Sequence, residues 1–165
     1  MKKKKVLFVC LGNICRSPSA EAIFKKFVKD ENLQDLIEVD SCGTIDYHQG
    51  ETPDKRMQLY ASKRGFKLDH IARMFNPKKD FTEQDYIIAM DNEIYKDINR
   101  FDEKKNFSEK IFRMSQFSGR IKFDEVVDPY YSGPEGFERV LDVLEDSCKI
   151  LLGRIKNEIR SENKE

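Results

Sequence analysis

The sequence carries no net charge, because 30 lysines and arginines balance 30 aspartates and glutamates over 165 residues. Without a global field, neither nucleic acid nor an anionic membrane is an expected partner, although a local anion site is still allowed. Long apolar runs are also missing. The start, Met1 to Lys5 followed by Val6-Leu7-Phe8-Val9, superficially resembles the basic and apolar parts of a signal peptide. It meets Gly12 and Asn13 too soon, no small-residue cleavage site follows, and nothing approaches the ~18 apolar residues of a membrane span. The lysines are read as a solvated tail before a buried strand, and the chain as cytoplasmic.

Histidine is scarce, with only His48 and His70, and no close Cys/His cluster has zinc-site spacing, so neither a metal nor another cofactor is expected. The four cysteines, Cys10, Cys15, Cys42 and Cys148, are expected as reduced thiols, since a domain of this size needs no disulfide staples. Repeats, low-complexity tracts and clear linkers are absent. With 39% hydrophobic residues the chain reads as one compact domain over residues 1–165, fraying at 1–4 and about 157–165.

Val6 to Cys10 is a continuous apolar run, which suits a strand buried on both faces of a parallel sheet, and the Gly/Asn turn after it ends the strand at Cys10. Ser17-Pro18 supplies a cap and a first-turn proline. Ala22, Ile23, Phe24, Phe27 and Val28 follow at helical spacing, predicting a helix to about Asn32. Further strands are predicted at 37–41, 86–90 and 111–114, and further helices at 53–65 and 92–100. From about Gly133 the apolar residues keep the helical period through Ile155, giving a long closing helix. Alternation of this kind implies an α/β fold, a parallel sheet between two helix layers, with ligands bound beyond the carboxyl ends of the strands. Cys10 sits at such an end.

The segment Cys10-Leu11-Gly12-Asn13-Ile14-Cys15-Arg16-Ser17 separates a cysteine from an arginine by five residues. Spacing alone means little, because four cysteines and ten arginines produce such a pair by chance in about one chain in four. Cys148 and Arg154 form one inside a helical apolar pattern, where a core thiol and a surface arginine explain it without chemistry. The first pair instead stands between a buried strand and a helix start. There backbone N–H groups converge on one point and cradle a phosphate dianion, with Gly12 and Asn13 tolerating the unusual dihedrals required. The same positive end favours the thiolate of Cys10, a ready nucleophile. Arg16 offers a planar fork for two phosphoryl oxygens, and Ser17 a hydroxyl for the Cys10 sulfur.

The stretch from Val6 to Ala22, VLFVCLGNICRSPSAEA, closely resembles the active-site segment of the low-molecular-weight protein tyrosine phosphatases. The resemblance extends over nearly the whole chain, with Asp128-Pro129-Tyr130-Tyr131 as its second anchor. It implies a single-domain, three-layer α/β/α fold with a four-stranded parallel sheet and a phosphate-binding loop after the first strand. It also implies hydrolysis of phosphotyrosine and other aryl phosphate monoesters through a phosphocysteine at Cys10. Arg16 would be the clamp, Ser17 the thiolate stabiliser and Asp128 the general acid that protonates the departing oxygen.

By the same resemblance, Leu11, Gly12, Asn13, Ile14 and Cys15 belong to the phosphate loop, and Asn13, Ser41 and His70 to the network supporting it. Tyr47 and Tyr130 flank the pocket, where rings stack on the phosphotyrosine and depth excludes shorter phosphoserine. Leu11 adds an apolar wall, and Tyr131 reads equally well as pocket or as packing. Cys15 would form a disulfide with Cys10 that spares it irreversible oxidation, as paired cysteines at these positions do in family members. Cys42 and Cys148 are read as core. The implied partners are phosphotyrosyl proteins, with an autophosphorylating tyrosine kinase as a candidate, and phosphate or vanadate as inhibitory anions.

Two other readings are open. A thiol-linked arsenate reductase shares the fold and the loop but needs further cysteines after the third strand, and Met90 to Gln116 contains none. A phosphocysteine carrier has no need of the arginine and acid together, and a non-catalytic phosphotyrosine-binding module has no need of the thiol.

Overall fold

In the computed structural model, which describes residues 2–164, strands and helices alternate along the chain. Strand β1 (Lys4–Cys10) passes through the cysteine loop into α1 (Arg16–Asp30), followed by β2 (Ile37–Gly43) and α2 (Lys55–Lys63). Then come α3 (Pro77–Glu83), β3 (Tyr86–Ala89), α4 (Asn92–Phe101), β4 (Ile111–Arg113) and the long α5 (Pro134–Asn163). All strand pairings are parallel, in the order β2-β1-β3-β4, so the four-stranded parallel sheet expected from the sequence is present.

Strand β1 lies inside the sheet, and Val6 to Cys10 are buried throughout. Side chains alternate between faces along a strand. Val6, Phe8 and Cys10 therefore join the core beneath α1, α2 and α5, while Leu7 and Val9 join the core beneath α3 and α4. Phe8 meets Phe24 of α1 edge to face at 5.8 Å, which fixes the helix after the loop against the strand before it. The sulfur of Cys10 is thus anchored by a fully packed strand.

Several boundaries differ from the pattern reading. Lys4 and Lys5 are in β1 and not in a solvated tail: Lys4 pairs in register with Ile37, and both ammonium groups meet carboxylates, of Glu162 and Glu38. Helix α5 continues past residue 157 to Asn163, because Ile155 and Ile159 extend its buried stripe. Helix α3 went unpredicted. It is one short run with Asn76 as its cap and Pro77 in its first turn, and only Phe81 gives it an apolar anchor, too little for a period to show. None of the helices among the described residues is long and apolar enough to cross a membrane.

Candidate active site

Cys10 is the last residue of β1, in register with Gly43 at the end of β2. The loop after it turns tightly over that end, and a Cβ on Gly43 would stand 2.6 Å from the Leu11 carbonyl oxygen. Only glycine lets the backbone approach so closely. Asn13 takes the left-handed conformation, with φ of 60°. Gly12 does not share it, contrary to expectation. What glycine provides there is room, since a Cβ would meet the His48 ring at 2.8 Å.

The strained Asn13 backbone is held through its own side chain. Its Oδ1 accepts the Arg73 backbone N–H at 3.0 Å, which fixes the orientation of the amide. The amide nitrogen then donates to Ser17 Oγ at 2.8 Å and Ser41 Oγ at 3.0 Å. Ser41 Oγ donates in turn to Glu21 Oε1 at 2.7 Å. His70 Nε2 lies 2.8 Å from Asn13 Oδ1 and must be the donor there. Burial by itself would raise the Glu21 carboxyl, but His70, Lys25 and Ser41 more than offset this and hold it below the usual carboxylate range.

Ser17 Oγ accepts from Asn13 and lies 2.9 Å from Cys10 Sγ, its one proton shared between that sulfur and the Cys42 carbonyl at 3.3 Å, and the Asn13 backbone N–H reaches the same sulfur at 3.3 Å. Ser17 is therefore not the helix cap that Ser17-Pro18 suggested. Helix α1 begins two residues earlier, with Cys15 at the cap position and no side-chain cap, because the serine hydroxyl is used inward. Both donors stabilise a thiolate.

Arg16 is buried, and Nη1 binds Asp91 Oδ2 at 2.6 Å and the Val126 carbonyl at 2.9 Å. Burial opposes its charge, but the fields of Cys10, Asp91 and Asp128 outweigh it and raise the basicity of the guanidinium. With Nη1 occupied, Nε and Nη2 are the donors left for an anion. Asp128 Oδ2 stands 3.8 Å from Nη2, and its Oδ1 accepts the Tyr130 N–H at 3.1 Å. Cys10, Arg16 and Asp128 line one cleft of about 340 Å³.

The loop residues Leu11, Gly12, Ile14 and Cys15 line the same cleft, with Tyr47, Tyr130 and Tyr131 around its mouth. Asn13, Ser17, Ser41 and His70 do not line it and support the loop from beneath. Tyr131 is 96% exposed, so it is not core packing. Arg56 lies over the Tyr130 ring at 5.2 Å, tied at its other side to Asp54 at 2.9 Å. A larger concavity of about 610 Å³, along the outer edge of β2, has charged walls and no nucleophile.

A family profile described as "Low molecular weight phosphotyrosine protein phosphatase" matches residues 5–162. The chain belongs to this family. The low molecular weight phosphotyrosine protein phosphatase of Rattus norvegicus is 42% identical over 150 residues, 90% of this chain and 94% of the rat protein. A low molecular weight protein-tyrosine-phosphatase of Streptomyces coelicolor is 35% identical over 157 residues, covering 94% and 95%. Among solved structures, a protein tyrosine phosphatase of Entamoeba histolytica with Hepes in its active site superposes with a TM-score of 0.91 at 44% identity, over 94% of this chain and 99% of that one.

In this phosphatase the sequence reading missed Asp91, which holds the arginine, and Glu21, Asp40 and Arg73, which close the network behind Asn13. It also missed His48 and Ile45 in the cleft wall. No motif marks them, because they come from separate segments brought together only by the sheet. Of the spare thiols, Cys42 and Cys148 are fully buried in the two cores, as expected. Cys148 and Arg154, the rejected motif pair, lie in α5, where the arginine stacks on Phe112 at 4.9 Å. Burial pushes the Cys15 thiol up, with Asp54 adding to the effect.

Proposed function

We propose that this tyrosine phosphatase works through a phosphocysteine at Cys10, as one domain without a cofactor. The observation that carries the reading is the sulfur itself, met by Ser17 Oγ at 2.9 Å and the Asn13 N–H at 3.3 Å in a cleft shared with Arg16 and Asp128. In the first step Cys10 Sγ bonds to phosphorus while the phosphorus–aryl oxygen bond breaks, and protonated Asp128 gives its proton to that oxygen. In the second step water attacks phosphorus, ionised Asp128 takes the water proton, and Sγ leaves as a thiolate stabilised by Ser17. Nε and Nη2 of Arg16 bind equatorial oxygens and tighten as charge shifts onto them.

The finer assignments rest on the same site. Tyr47 and Tyr130, with Tyr131, form walls suited to an aromatic ring, which supports phosphotyrosyl proteins over phosphoserine, an autophosphorylating kinase among them. Phosphate and vanadate fit the loop as inhibitors. The reading includes a cytoplasmic location, action away from membranes and reversible pairing of Cys10 with Cys15.

The experiment is rapid-quench turnover of an aryl phosphate with chelator present. A phosphorylated Cys10 peptide is expected from the native enzyme and none from Cys10→Ser, which should still bind vanadate. Cys10→Ser activity above a few per cent of native removes the nucleophile. Consumption of reductant dependent on arsenate favours the reductase, and binding of phosphotyrosine without turnover favours a recognition module.

A further inference from the structure

The ring of Tyr130 stands on a turn between β4 and α5, and 38% of the residue is exposed. Tyr131 meets it edge to face at 4.9 Å, but Tyr131 is itself almost wholly exposed and gives it no fixed support. What backs the ring is Arg56, whose guanidinium lies 5.2 Å from its centroid. We propose that Arg56 is a positioning residue that holds Tyr130 at a set distance from the phosphate loop and so makes the enzyme selective for aryl phosphates. This role rests on Tyr130 being a wall of the pocket, as the proposed function has it.

A long exposed side chain can hold a neighbour only if it is held itself, since its free rotamers cost entropy to restrain. Arg56 is the second residue of α2, and it is held. Asp54, the cap of that helix, accepts the backbone N–H of Arg56 at 2.8 Å and that of Met57 at 3.2 Å. The same carboxylate takes the guanidinium in a two-pronged grip, Nη2 at 2.9 Å and Nε at 3.3 Å. Phe137 of α5, buried in the core, has its ring centroid 4.9 Å from the same guanidinium. A planar cation so gripped can lie against both rings, and lysine offers neither the fork nor the plane.

The other end of this chain of contacts is the phosphate loop. The Asp54 N–H donates to the Ile14 carbonyl at 2.8 Å, and Ile14 lies between Asn13 and Cys15 in the loop that begins at Cys10. Ile14, Asp54, Arg56 and Tyr130 are thus joined in that order. The wall is referenced to the anion site through the start of α2, beside the link through its own segment. A substrate ring that reaches Tyr130 gains from a wall that stays in place, whereas an anion without a ring touches only the loop.

The test compares a substrate that reaches the wall with an anion that does not. In Arg56→Ala, kcat/KM for phosphotyrosine should fall ~3–5-fold, the worth of a cation–π contact at an exposed site, while the inhibition constant of inorganic phosphate stays native. Arg56→Lys should lose activity too, because it keeps the charge without the fork. Tyr130→Ala should itself lose activity, and adding Arg56→Ala to it should cost nothing further, since no ring is left to hold. A parallel rise in the phosphate inhibition constant would mean that Arg56 acts on the loop, and native kcat/KM in Arg56→Lys that charge alone suffices. Either result overturns the proposal, as do additive losses in the double variant. Native kcat/KM in Arg56→Ala beside a loss in Tyr130→Ala removes the proposal and leaves the wall standing, whereas native kcat/KM in Tyr130→Ala removes both.

Discussion

Arg16 and Asp91 form a 2.6 Å ion pair in which the same carboxylate caps α4 through the Ile94 N–H at 2.8 Å. One side chain thereby ties the helix after β3 to the guanidinium after β1. The two duties separate experimentally, since asparagine caps a helix as well as aspartate does but carries no charge. Asp91→Asn is expected to keep the cap and lose ~10-fold or more in kcat/KM, the worth of one charge-assisted bond to Arg16. Asp91→Ala should lose the activity and, relative to Asp91→Asn, a further ~1 kcal/mol of stability with the cap. Steady-state kinetics beside thermal melts checks both, and native activity in Asp91→Asn reduces Asp91 to a cap.

Asp128 is expected to matter in proportion to the help a leaving group needs. Phenolates of low basicity depart almost unaided, whereas the tyrosyl oxygen relies on an acid. Asp128→Ala should reduce phosphotyrosine turnover by ~10² and activated aryl esters by less, steepening the dependence on leaving-group basicity. Single-turnover phosphoryl transfer across a series of aryl phosphates measures this. A uniform loss would mean that Asp128 only positions its loop.

The two loop thiols should differ in reactivity. Burial keeps the Cys15 thiol protonated, so peroxide should first convert Cys10 to a sulfenic acid, and Cys15 should then displace water to form the disulfide. Dithiothreitol is expected to restore native enzyme after brief peroxide and to restore Cys15→Ser far less. Peptide mapping should find Cys10 linked to Cys15. Equal recovery of both proteins with no linked peptide leaves Cys15 as packing.

Glu21 makes the loop support sensitive to acid. Its folded pKa is depressed, so its stabilising contribution is present above the ordinary glutamate range and is lost as pH falls through the lower folded value. Denaturant titrations from neutral pH to below 4 should show native protein and Glu21→Gln converging in stability as the pH drops. Parallel curves across that range would mean that Glu21 contributes through shape alone.

The segment from Val6 to Ser17 was legible because strand, loop and helix follow one another, and each leaves a local mark: an apolar run, a turn, a proline in the first helical turn. Asp128 was legible only by resemblance. Glu21 and Asp40 were not legible, since a single carboxylate in a helix or strand reads as its solvent side until β2 and the 70–73 segment close over it. Gly12 was read for its dihedrals when its use is the space it leaves for His48, 36 residues along the chain, a packing fact that no local pattern carries. Helix α3 failed for a related reason, being held by Phe81 and a cap instead of by a repeating face.

The Val126 carbonyl bonded to Arg16 stands two residues before Asp128. The segment before Asp128 is therefore held at one residue by two anchors, the Arg16 guanidinium and, through the Val126 N–H at 2.9 Å, the carbonyl of Met90 just after β3. In the proposed mechanism a displacement of the guanidinium would reach the acid segment through the Val126 carbonyl. A substrate gripped poorly by Arg16 would be served by a misplaced acid as well, and discrimination at the phosphate would be multiplied at the leaving group.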